Sequence, residues 1–262
     1  MRWLMALALG LAIATCACSG AEKPEDDIGV LFVGNSLTYV GNLPAVLDAL
    51  ASTNGRHTSS EMIVAGGATL TDRVNDGTVE RALSKGNYSF VFLQERGGDF
   101  MCGFGPKVCE DSRRSLESLA AMARQHGAVP VLIGTYQGDP GASEEIVQAE
   151  SKAALASGVD YISVSDRLQR GRSSEPEMEW FAADGMHPGH DLILMEALLL
   201  YEHLFDGPPT NSGLVVDAPM YSPSSGLTPD LRSASAPAPR EGTPFGKRYD
   251  SDRVARLMKL LW

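Results

Sequence analysis

The chain has 262 residues, with 33 acidic against 22 basic side chains and a formal net charge of −11. That balance disfavours nucleic acid and anionic lipid head groups as partners, because both are bound through basic patches that release counterions. Past the first residues no apolar run approaches the roughly 18 residues that cross a bilayer, so a water-soluble body is expected. Between an apolar start and a Pro-rich end lie roughly 180 residues, enough for one α/β core.

Arg2, the apolar run WLMALALGLAIAT and two cysteines, Cys16 and Cys18, read as a secretion signal over residues 1–18. The segment resembles a bacterial lipoprotein signal, which implies export to the cell envelope. The lipid anchor would be Cys18 or, as the alternative, Cys16; plain secretion is the other outcome. An acidic tether, 19–27, follows. Five short apolar runs, IGVLFVG, MIVAGG, FVFLQE, VPVLIGT and VDYISV, have the length and composition of buried parallel strands. Helical spacing of apolar residues predicts helices over 43–51, 70–83, 111–126 and 143–157 between them, and another through 192–204. Strands alternating with helices predict an α/β fold, a three-layer α/β/α sandwich on a doubly wound parallel sheet of about five strands, with ligands at the carboxyl ends of the strands. From 208 to 250 the composition turns to Pro, Ser, Gly and Ala and predicts a loose surface arm. Val254, Leu257, Met258 and Leu261 restore a helical pattern, so residues 251–262 form a short helix docked on the body.

Two segments carry chemistry. GNSLT, at 34–38, places Ser36 at the turn that follows the first strand, and DGMHP, at 184–188, places Asp184 three residues before His187. A serine hydroxyl attacks only when a base takes its proton, and an imidazole titrates near neutrality. A carboxylate three residues away, in a turn, can hold the other ring nitrogen and fix the tautomer. Read singly, Ser36 could cap a helix and Asp184 could cap the next one; as an ordered set they form an acyl-transfer catalyst. Developing negative charge on the substrate would need backbone amides, Ser36 and a glycine of the next loop among them.

In these blocks the chain resembles the SGNH (GDSL-like) hydrolases over residues 28–205, and the hydrolase domain is expected to span 28–207. Gly34-Asn35-Ser36-Leu37-Thr38 matches the first block with Asn35 in place of Asp. Gly67-Ala68-Thr69-Leu70 resembles the second, and Asp184-Gly185-Met186-His187-Pro188 matches the last. The resemblance implies Ser36 as nucleophile, His187 as base, Asp184 as its orienter, and Gly67 rather than Gly66 as a backbone oxyanion donor. The third block departs from the pattern: after FVFL the chain reads Gln94-Glu95-Arg96-Gly97-Gly98-Asp99, without the GxND asparagine. An ionised Asp99 cannot donate a hydrogen bond, so Gln94 is taken as the third donor.

The resemblance implies hydrolysis of esters without a cofactor. O-acetyl groups of carbohydrates are the favoured substrates, with a lysophospholipase or short-chain carboxylesterase as alternative. From another class stands a non-catalytic envelope carbohydrate-binding protein on a hydrolase fold. A small-molecule or glycan ester is thus the expected partner, and a membrane is met only through the lipid anchor. Cys102 and Cys109 flank a short turn-rich loop, suited in an oxidising compartment to a structural disulfide, and their spacing offers no metal site. Glu95 and Arg96, at a strand end, either pair with each other or line the pocket. Glu144, Glu145 and Glu150 read as the solvated face of a helix, and His190 as peripheral.

Overall fold

The computed structural model describes residues 27–262; the signal segment, Cys16, Cys18 and the tether up to Asp26 lie outside the described residues. The five apolar runs form β1 (Ile28–Gly34), β2 (Thr58–Val64), β3 (Phe90–Leu93), β4 (Val129–Ile133) and β5 (Asp160–Ile162), paired in parallel in the order β5-β4-β3-β1-β2. Consecutive side chains of each strand enter opposite layers, as the strand repeat of two requires. Val30, Phe32, Phe92, Val131 and Ile133 join one core, while Leu31, Val33, Val91, Leu93 and Leu132 join the other. Both faces are therefore buried, which explains why the strands read as continuous apolar runs rather than as alternation. This is the expected three-layer sandwich.

The helices are α1 (Ser36–Tyr39), α2 (Leu43–Thr53), α3 (Leu70–Asp76), α4 (Thr78–Leu83), α5 (Pro106–Gln125), α6 (Pro140–Ser157), α7 (Ser165–Ser174), α8 (His190–Phe205) and α9 (Ser251–Leu261). The single helix expected over 70–83 is two. Gly77, at φ +63°, ends α3 in the left-handed conformation, and Asp76 accepts from the amide and hydroxyl of Thr78 to begin α4. Starts at Pro106 and Pro140 lengthen α5 and α6, a proline in the first turn losing no helical hydrogen bond. The polar α7 carries too little apolar signal to be read from sequence; it is seated by Leu168 and by Gly171, where a Cβ would stand 2.5 Å from the Trp180 ring.

The loose arm is the main correction. Within 208–250, β6 (Leu214–Pro219) and β8 (Phe245–Tyr249) pair antiparallel, and β7 (Arg232–Ser233) adds an antiparallel edge to β2. Leu214, Val216, Met220, Tyr221 and Ala234 are buried in the same core as α2 and α8. The Pro- and Ser-rich composition hides this because few apolar side chains are involved, yet Leu214, Val216 and Ala218 alternate as a half-buried strand should. Helix α9 docks as expected through Val254 and Leu257.

Asn42 ties the arm down. Fully buried and at φ +56°, it caps α2 through Oδ1, and its Nδ2 donates to the carbonyls of Pro219 at 2.7 Å and Ala234 at 2.8 Å. Removing the amide strands two buried carbonyls, each costing about 1–3 kcal/mol. Asn42→Gly keeps the left-handed backbone accessible and loses only the hydrogen bonds. We therefore expect urea unfolding to show Asn42→Gly and Asn42→Ala both destabilised by about 3 kcal/mol or more, with Ala the worse; a Gly variant as stable as the parent would remove the tie.

Candidate active site

The strand order reverses around β1, the position at which doubly wound sheets open a crevice at their carboxyl edge. A cavity of about 640 Å³ occupies that edge. Its wall includes Ser36 after β1, Gly67 after β2, Arg96 and Gly97 after β3, Tyr136 after β4, and His187 before α8.

Ser36 is the first residue of α1. Asn35, in extended conformation, accepts from the Leu37 amide at 3.0 Å and so caps that turn. Gly34 precedes it because a Cβ there would lie 2.2 Å from Thr38 Oγ1. Thr38 Oγ1 donates to Gln94 Oε1 at 2.6 Å, and Asn35 Nδ2 reaches the Gln94 carbonyl at 3.4 Å. The residue beyond β3 thus holds the turn beyond β1.

His187 and Asp184 form a closed local device. His187 Nδ1 lies 2.6 Å from Asp184 Oδ2, while Asp184 Oδ1 accepts the amides of Met186 at 3.0 Å and His187 at 2.9 Å. Gly185 supplies the required positive φ, +70°, and a bridge between Phe181 and Pro188 closes the loop. The amide of His187, then its ring, then the Met186 amide hold the Asp184 carboxyl down at about 2. It is an acceptor throughout the neutral range, which places the ring proton on Nδ1 and leaves Nε2 as the base. Ser36 and His187 share the cavity wall without a hydrogen bond between them; such contacts commonly tighten only on a bound substrate.

Gly67 lines the cavity at φ +68°, and a Cβ there would meet no atom within 4 Å, so the backbone conformation rather than space calls for glycine. Among the described residues the amides of Ser36, Gly67 and Gly97 donate to no protein acceptor. Gln94 is placed differently from the expectation. It is buried below the cavity floor, with Oε1 on Thr38 and Nε2 3.4 Å from the Gly134 carbonyl, and it is not part of the cavity wall. Strand-end position suggested a donor; anchoring the Ser36 turn takes the oxygen of the amide and the Gly134 carbonyl beyond β4 takes its nitrogen. Two side-chain amides do line the cavity: Asn35, whose amide is engaged by Leu37 N and the Gln94 carbonyl, and Gln137, whose Nε2 lies 3.2 Å from where a Gly97 Cβ would stand.

Glu95 and Arg96 do not pair through their side chains. Glu95 is buried and receives the Leu70 amide, at 3.2 Å to each oxygen, and the Arg96 amide at 2.9 Å. Arg96 instead forks onto buried Asp99, at 3.0 and 2.8 Å, and lines the cavity. Asp99 is therefore spent on Arg96. Cys102 and Cys109 are joined as a disulfide, stapling this wall to the start of α5.

Glu150 corrects the reading of a solvated helix face. It is buried and accepts from the Thr135 amide at 2.9 Å, the Thr135 hydroxyl at 2.5 Å and Tyr161 Oη at 2.8 Å. Its spacing from Ile146, Ala153 and Ala154, all buried, puts it on the inward stripe, a signal the sequence did carry. Tyr136 and Phe181, both on the cavity wall, had no such signal.

Solved structures share this fold. A protein from Slackia heliotrinireducens assigned as an SGNH hydrolase is 26% identical, with a TM-score of 0.57, covering 68% of this chain and 100% of that one. A DUF4886 family protein from Bacteroides uniformis is 18% identical (TM-score 0.57, 70% and 84% covered). The psychrotrophic esterase EstA from Pseudoalteromonas is 13% identical (TM-score 0.54, 69% and 100% covered). The last two show the fold alone. No family model matches the chain, and no curated protein does.

Burial raises Glu95 and Glu150 to about 7 and Asp48 to about 6. Their folded forms keep protons that the unfolded chain releases at about 4, so the folded state binds more protons from about pH 4.5 to 7 and stability falls as pH rises through that window. Glu150→Gln, neutral and of the same shape, should narrow the gap in Tm between pH 5 and pH 8; an unchanged gap would show that Glu150 ionises normally. The blocks in order, the three-layer fold and the 26% identical protein from Slackia heliotrinireducens make the chain similar to the SGNH hydrolases, which supports an ester-cleaving hydrolase.

Proposed function

We propose that the protein is a serine esterase acting through an acyl-enzyme at Ser36. The observation that carries this reading is the His187–Asp184 contact of 2.6 Å beside a cavity that also holds Ser36. Ser36 Oγ bonds to the ester carbonyl carbon as its proton passes to His187 Nε2. The carbonyl oxygen takes the negative charge and is met by the amides of Ser36 and Gly67; Gly97 and Gln137 are the groups positioned to add a third donor in place of Gln94. Collapse breaks the bond to the alcohol, which leaves with the proton from His187. Water, deprotonated by the same imidazole, then attacks the acyl carbon and frees the acid and Ser36.

An acetyl or other short acyl group on a carbohydrate is the substrate class we favour, since the signal-like start points to an envelope location. The esterase from Pseudoalteromonas has the same fold, which lends support to ester chemistry without naming the ester. No cofactor enters any step.

Hydrolysis of p-nitrophenyl acetate and labelling by a fluorophosphonate test the proposal. Both should be abolished in Ser36→Ala, turnover should be lost in His187→Ala, and Asp184→Asn should lower kcat by about 10²- to 10⁴-fold. A folded parent that neither turns over the ester nor takes the label would favour the carbohydrate-binding reading.

A further inference from the structure

We infer that Arg96 is a specificity residue, and that the preferred ester carries a carboxylate near the scissile bond. This rests on the esterase reading above. In a chain of net charge −11, the described residues of the cavity wall include no aspartate or glutamate, and Arg96 is the one permanently charged side chain among them. Asp99, which balances Arg96, is fully buried behind it.

The guanidinium is held in one orientation. Asp99 takes Nε and Nη2 in a planar fork at 3.0 and 2.8 Å, and the Phe104 ring lies 4.3 Å from the guanidinium carbon. The supporting loop is tied by Cys102 N to the Asp99 carbonyl, Gly103 N to the Gly98 carbonyl, and the Cys102–Cys109 disulfide. Nη1 has no protein acceptor among the described residues. A guanidinium fixed on one edge, in the wall of a cavity and with Nη1 still without an acceptor, suits a planar anionic acceptor and loses little entropy on binding it. Phe104, 55% exposed, covers the ring face of the guanidinium and itself lines the cavity, so an incoming carboxylate meets Arg96 at its edge.

The carboxylate could belong to the alcohol or to the acyl part of the ester, and the test separates them. Specificity constants, each divided by the alkaline hydrolysis rate of the same ester, are compared for phenyl acetate, 3-acetoxybenzoate and phenyl hemisuccinate. At least one carboxylated ester should exceed phenyl acetate by about 10- to 100-fold, the range of one charge-assisted hydrogen bond, with the gain in KM and weakened by salt. The ester that gains identifies the side that bears the carboxylate. Arg96→Gln should abolish the preference. Because that change leaves Asp99 buried without its partner, Arg96→Lys, which keeps a charge but not the fork, should reduce the preference in a folded protein. Calorimetry with 3-hydroxybenzoate and succinate gives a reading independent of turnover: one should bind the parent and bind Arg96→Lys more weakly. Absence of any preference among the three esters, or a preference that survives both variants, overturns the proposal. Failure to hydrolyse any of the three esters defeats the esterase reading instead, and absence of carboxylate binding by calorimetry would then overturn this one as well.

Discussion

The geometry of the site depends on how the turn after β1 is anchored. A hydroxyl at the start of a four-residue helix has no rigidity of its own, since one helical turn forms too few hydrogen bonds to persist alone. Here Thr38 and Asn35 both reach Gln94, at the end of the adjacent strand. Gln94 in turn reaches the carbonyl of Gly134 beyond β4. Three neighbouring strand ends are thereby fixed relative to one another, and Gly34 is glycine because Thr38 must sit against its backbone. The nucleophile's place is set by a chain of side-chain amides and hydroxyls that runs from Asn35 on the cavity wall to the buried Thr38 and Gln94.

Two buried carboxyls extend the same principle outward. Glu95 receives the first amide of α3 and so binds the loop that carries Gly67 to the end of β3. Glu150 gathers Thr135 and Tyr161, holding the loop that carries Tyr136 against α6 and β5. Hydrogen bonds favour the ionised form of each, yet burial outweighs them. Such groups cost stability near neutral pH while fixing loops that a purely apolar core would leave to slide.

The sequence made the sheet legible because parallel strands covered on both faces must be apolar throughout, and VLFV or FVFL has no other common use. It made the Asp184–His187 device legible because both residues lie within one turn and need no long-range contact to meet. What it hid were contacts between distant segments. Gln94 could be recognised as important, but whether it faced the cavity or the turn depended on Thr38, 56 residues away. The arm was hidden for the same reason. Its strands are short; β6 and β8 pair only with each other, across a long Pro- and Ser-rich stretch, while the β2 edge that takes β7 and the Asn42 amide that holds Pro219 and Ala234 are set by the completed sandwich rather than by local pattern. Glu150 was an error of another kind, since its helical spacing already placed it among buried neighbours.

The arm reaches the site as well as the core: Pro223 is part of the cavity wall, and Tyr39 Oη reaches the Pro223 carbonyl at 3.4 Å. The segment beyond α8 is thus not an appendage to a finished hydrolase. A version of this chain trimmed at Phe205 would keep every residue proposed for the chemistry, yet it would uncover the apolar sides of α2 and α8 and open one wall of the cavity to water. Minimal length in this fold is a property of each sequence, set by where its own helices have been left bare.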